Sequence, residues 1–115
     1  MKYFKFDEFK CPCCGQVRMD GRLLIRLDKA REIAGIPFIV TSGFRCEKHN
    51  AEVGGKPDSA HLTGKAVDVA YKNSRERFAI ISSALEAGFN RIGIAENFIH
   101  LDVDETKSQM ICWLY

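Results

Sequence analysis

A chain of 115 residues, 46% hydrophobic and 28% charged, carries the material for one buried core and the balance of a globular protein. Its formal charge is only +2 and its Lys and Arg residues are spread along the chain, so neither nucleic acid nor an anionic membrane surface is the expected partner. No run is apolar for long enough to cross a bilayer, and MKYFKFDEFKCPCCG alternates aromatics with charges where a signal peptide would be continuously apolar, so the protein is expected to be made in a cytoplasm and to stay there until released.

Residues 1–115 read as a single domain, without repeats, low-complexity segments or linkers. Phe4, Phe6 and Phe9 alternate with charges, as an edge strand or extended arm would. The stretch DGRLLIRLDKAREIA predicts a helix over 20–34: Asp20 is placed to cap it, Leu23, Leu24, Leu27, Ala30 and Ile33 recur at helical spacing, and Gly35 ends it. FIVTS (38–42) is a short buried strand, EKHNAEV a helical turn ending at Gly54–Gly55, and KPDSAHLTG a loop. KAVDVAY is a strand with Val67 and Val69 on one face and Asp68 on the other. NSRERFAIISSALEAG is a helix capped by Asn73 or Ser74, with Phe78, Ile81 and Leu85 facing inward and Gly88 ending it. Strands RIGIA and FIHLDV follow, joined by a turn at Glu96–Asn97. The apolar tail ICWLY is expected to seal the core. This order predicts an α+β fold: a small, mainly antiparallel sheet with helices packed on one face.

The chemistry lies on the polar side of two strands. In FIHLDV, residues 98–103, Ile99, Leu101 and Val103 point one way and Phe98, His100 and Asp102 the other. If KAVDVAY is the neighbouring strand, Asp68 and His100 lie side by side, and the preceding loop can return His61 to the same spot. Two imidazoles and a carboxylate make a three-ligand zinc site with one position left for water, the catalytic pattern. Zinc would lower the pKa of that water to roughly 7. Satisfied polar residues beside a strand are the alternative, and spacing does not choose between them.

The combination TSGFRC…HN…VGGKPDSAHLTGKAVDV…FIHLDV resembles the M15 family of zinc D-Ala-D-Ala peptidases, and within it the short phage- and prophage-associated branch, which shares a fold with the hedgehog signalling domain. The resemblance runs from about Phe9 to Val103. It implies that His61, Asp68 and His100 are the zinc ligands, and that Arg45 is the substrate arginine. A fixed guanidinium there is suited to hold a developing oxyanion. Ser59 would bind the substrate backbone or cap its loop. Better-known branches carry an acid three residues before the second zinc histidine, where this chain has Asn97. That leaves Asp102, which could serve the zinc water or orient a ligand imidazole, and Glu96 in the turn. The implied activity is hydrolysis of peptidoglycan stem peptides, as a carboxypeptidase or an endolysin-type endopeptidase acting on the wall after release. A non-catalytic wall-binding or assembly module of the same fold is the alternative that Asn97 favours.

Five cysteines are many for this length. CPCCG contains the C-P-x-C-G spacing of a zinc knuckle and CEKH is a C-x-x-H, so Cys11, Cys14, Cys46 and His49 could form a structural zinc site. A disulfide from the N-terminal cluster to Cys46, or plain thiols, are the other readings. Each packs the N-terminal segment near the loop after FIVTS.

Overall fold

Helix α1 (Gly21–Ala34) begins where its cap predicts: the Asp20 carboxylate accepts the Arg22 N–H, and Gly35 closes the helix in the left-handed region. Strand β1 (Ile39–Ser42) follows, then the short helix α2 (Glu47–Glu52), strand β2 (Ala66–Ala70), helix α3 (Ser74–Glu86) capped by Asn73, and strands β3 (Arg91–Ile94), β4 (Phe98–Asp102) and β5 (Ile111–Leu114). This computed structural model describes residues 1–115. The strands form one sheet in the order β1-β2-β4-β3-β5, antiparallel throughout except for the parallel β3–β5 pair. The expected α+β architecture is therefore present, with one parallel edge.

The two faces of this sheet differ sharply. Val67 and Val69 of β2, Ile92 of β3 and Ile99 and Leu101 of β4 join Leu23, Leu24, Leu27 and Ala30 of α1 and Ile80 and Ala84 of α3 in one core of 17 buried residues. Alternation turns the intervening side chains, Asp68, His100 and Asp102, to the opposite face.

Several segments depart from expectation. FIVTS, expected as a buried strand, forms the edge strand β1, where Ile39 and Thr41 are exposed and Val40 and Ser42 half-buried, because β1 has a partner on one side only. Helix α3 buries Ile80, Ser83 and Ala84, while Phe78 (73% exposed) and Leu85 (57%) face outward and Ile81 is only partly covered. Both stripes have helical spacing. The buried one carries small Ala84 on a helix packed against α1 and runs on through Ala87 to the buried Phe89, an anchor the other stripe lacks. The tail ICWLY forms the edge strand β5, with Ile111, Leu114 and Tyr115 exposed, so it does not seal the core. Residues Phe6–Phe9 make a 3₁₀ turn, which buries Phe4 and Phe9 and leaves Phe6 in solvent. Within KPDSAHLTG, a second 3₁₀ turn covers Ala60–Thr63.

The face of α3 is open to direct test by urea denaturation. Ile80→Ala is expected to cost about 2–5 kcal/mol and Phe78→Ala less than about 0.5 kcal/mol; the reverse order would contradict this packing.

Candidate metal centre

The register of β2 against β4 sets Asp68 directly across from His100. The Asp68 Oδ1 atom lies 3.1 Å from His100 Nδ1 and 3.3 Å from His61 Nε2. His61 reaches this point from the second 3₁₀ turn, whose first N–H groups are steadied by Ser59: its Oγ accepts the His61 N–H at 3.2 Å. All three side chains are buried, and one atom from each lies within 4.8 Å of the others.

The protons on these rings are fixed by their outer partners. His61 Nδ1 is 2.7 Å from the Gly43 carbonyl, which can only accept, so Nδ1 carries the hydrogen and Nε2 presents a lone pair. His61 Nε2 is the one buried side-chain nitrogen or oxygen without a hydrogen-bond partner, despite its closeness to Asp68. The contact has ion-pair distance but two lone pairs face each other, so it is no hydrogen bond. His100 Nε2 lies 2.7 Å from Asp102 Oδ2 and gives its hydrogen there, turning the Nδ1 lone pair to Asp68. Three electron-pair donors thus converge on one point, an arrangement that is unfavourable unless a cation or an extra proton sits among them. Nitrogen, oxygen and nitrogen donors with outer hydrogen-bond partners fit a divalent metal well.

Without a cation the strain falls on protonation. Burial lowers the His100 pKa, but the Asp102 and Asp68 carboxylates outweigh it and raise it overall. Burial likewise opposes ionisation of Asp68 and Asp102. His100 and His61 nevertheless hold Asp68 below the usual carboxylate range, and His100 and Arg91 do the same for Asp102.

Around this point stand two arginines. Arg45, just after β1, donates from Nε to Ser42 Oγ at 3.0 Å, from Nη1 to Asn50 Oδ1 at 3.3 Å and from Nη2 to Asp68 Oδ2 at 3.4 Å. Arg91 of β3 donates from Nε to Asp102 Oδ1 at 2.7 Å, and its Nη1 holds the Ser108 carbonyl. Asp102 Oδ1 also accepts the Asp104 N–H, so both Asp102 oxygens are engaged. Glu96 is exposed in the β3–β4 turn beside Asn97 and does not line the cleft.

The cleft over the three donors measures roughly 760 Å³ and is lined by Arg45, Ser59, His61, Asp68, His100 and Asp102 among others. Its far wall is aromatic: Trp113 lies 5.5 Å from the His100 ring, with Phe98 and Tyr115 beyond it. Room for that wall comes from Gly93, which pairs with both His100 and Trp113, and where a Cβ would meet the Trp113 ring at 2.6 Å. Sequence reasoning overlooked Arg91, Gly43 and Trp113. The mid-strand glycine in RIGIA was the available signal for a close approach.

A second cluster lies apart from this one. Cys11, Cys14 and Cys46 converge, whereas His49 contributes only its main-chain N–H, donated to Cys46 Sγ at 3.4 Å.

Because Asp102 orients the His100 ring, Asp102→Asn is expected to weaken zinc affinity about 10- to 100-fold, read by competition with a chelating dye. Unchanged affinity would contradict the orienting role.

Residues 2–102 match a family model described as Peptidase M15, a span that takes in both strands of the site, His61 and Arg45 and omits β5. No curated protein matches the chain. A match over most of the 115 residues, coinciding with a His-Asp-His cluster able to hold a metal ion, places the chain in the Peptidase M15 family, and membership implies peptidase activity on a peptide substrate.

Proposed function

We propose that this chain is a zinc-dependent peptidase that cleaves peptide bonds in peptidoglycan stem peptides, as a D-Ala-D-Ala carboxypeptidase or an endolysin-type endopeptidase. The observation that carries the reading is the convergence of three unshared electron pairs, on His61 Nε2, Asp68 Oδ1 and His100 Nδ1, at the floor of an open cleft. These three residues would hold the zinc. Zinc in such a site supplies Lewis acidity, which acidifies water to a pKa of roughly 7 and polarises a carbonyl.

The chain's own groups do the rest. Arg45, held on three sides and lining the cleft, is positioned to donate to the scissile carbonyl as charge develops on its oxygen. Ser59 shares that lining while capping the turn that carries His61, so it meets the substrate backbone at the rim. Asp102 holds the proton on His100 Nε2 and works through that ring. Of the two acids that could move a proton, it is the one at the site, and Glu96 would need its turn to rearrange. The aromatic wall of Trp113 and Tyr115 suits the small apolar side chains of a stem peptide.

All three zinc donors come from one chain, which supports action as a monomer. No helix is long and apolar enough to cross a membrane. The resemblance to phage-associated sequences supports release to the cell wall from a cytoplasm, in a phage or prophage setting. A second reading, a zinc-containing wall-binding or assembly module without turnover, is favoured by Asn97 and by the engagement of both Asp102 oxygens.

The test measures zinc per chain and product release from purified muropeptides by mass spectrometry. His61→Ala is expected to lose one zinc and all turnover. Arg45→Ala should keep its zinc and lose about 10²- to 10³-fold in kcat. Zinc-loaded wild type that binds muropeptides but leaves them intact would select the binding module. Failure to bind zinc at His61 would overturn both readings.

A further inference from the structure

The CPCCG turn brings sulfur to sulfur. Cys11 N–H donates to the Gln16 carbonyl at 2.9 Å and Gly15 N–H to the Cys11 carbonyl at 2.8 Å, with Gly15 at φ +73°, so the chain folds back and carries the Cys14 thiol beside that of Cys11. Cys46, at the start of α2, completes the group from a segment 35 residues away. The Cys11 and Cys46 sulfurs are 3.7 Å apart. A disulfide needs about 2.05 Å, whereas sulfurs 2.3 Å from a tetrahedral zinc are separated by roughly 3.8 Å. Two main-chain N–H groups also point at sulfur, Cys46 to Cys11 Sγ at 3.5 Å and His49 to Cys46 Sγ at 3.4 Å, as donors that favour thiolate.

We propose that Cys11, Cys14 and Cys46 form a second metal site, a structural one, for a thiophilic divalent cation of the zinc class. Cys13, exposed on the same turn, is the side chain available for the fourth position. Three thiolates from two distant segments bind such an ion far better than they bind calcium or magnesium.

The site fastens the N-terminal segment to the stretch that supports the first centre. Between Cys46 and β1, the Phe44 N–H donates to the Phe9 carbonyl at 2.9 Å, the Arg45 N–H donates to the His61 carbonyl at 3.1 Å, and the Gly43 carbonyl accepts from His61 Nδ1. Metal at the cysteines therefore holds the residues that orient His61 and aim Arg45. The cysteine site itself does not depend on the peptidase reading; only this consequence does.

The test uses the full chain, purified under reducing conditions, stripped of metal and titrated with Co²⁺. The near-ultraviolet sulfur-to-cobalt charge-transfer absorption is expected in wild type and in His61→Ala alike. It should lose intensity in Cys14→Ser, a change at an exposed thiol, and vanish when Cys46→Ser is added, with circular dichroism unchanged and the zinc content of the double variant lower by one. Cys46→Ser alone should weaken the band in the same way, and Cys112→Ser should leave both the band and the zinc content intact. Absence of the band in reduced wild type would overturn the proposal, as would a band of undiminished intensity in Cys14→Ser. So would a Cys11–Cys46 disulfide in protein purified without oxidant. Loss of muropeptide cleavage with the band retained would count against the peptidase reading alone.

Discussion

The cross-strand pair of Asp68 and His100 is the constraint on which everything else at the site depends. Side chains along a strand alternate with a period of two, so a slip of one residue between β2 and β4 would send the ionisable groups into the core. The apolar partners forbid that slip: Val67 faces Leu101 and Val69 faces Ile99 across the same two strands, all fully buried. Hydrophobic burial therefore sets the register, and the register sets the distance between carboxylate and imidazole. Small residues then make the polar face usable. Ala66 lies across from Asp102, and Gly93 lies across from His100.

Charge at the site is closely matched before any cation arrives. Asp68 meets Arg45 and Asp102 meets Arg91, which leaves two imidazoles whose lone pairs have no hydrogen to bind. A divalent ion would therefore add positive charge to a nearly neutral setting of buried side chains at the cleft floor, where its attraction for an anionic transition state is less screened than in bulk water. The same pairs hold parts together. Breaking a buried ion pair by removing one partner is costly because the other charge is stranded. Arg91 consequently ties β3 to Asp102 and, through the Ser108 carbonyl, to the connection leading into β5.

What the sequence made legible was local. Alternation in KAVDVAY and FIHLDV identified the face that carries Asp68, His100 and Asp102, and capping logic located both ends of α1, because each depends on neighbours in the chain. The α3 face was not legible: Phe78/Ile81/Leu85 and Ile80/Ala84/Ala87 are equally periodic, and only the close approach of α1 separates them. The tail was misread because apolar composition suits an edge strand beside a cleft as well as a core. Its parallel pairing with β3 depends on a glycine some 20 residues earlier. Arg91 carried no signal of its own, since nothing nearby in sequence shows that it meets Asp102. The candidate donors His61, Asp68 and His100 could be named from the sequence; what fixes their protons, the Gly43 carbonyl and the Asp102 carboxylate with its arginine, comes from long-range contacts.

A crystal structure of the zinc-loaded protein, with anomalous data on both sides of the zinc edge, tests the central claim most directly. An anomalous peak bonded to His61 Nε2, the Asp68 carboxylate and His100 Nδ1 is expected, with His100 Nε2 still hydrogen-bonded to Asp102. Zinc absent from this point, or held by His100 through Nε2 with Asp102 displaced, would contradict that claim.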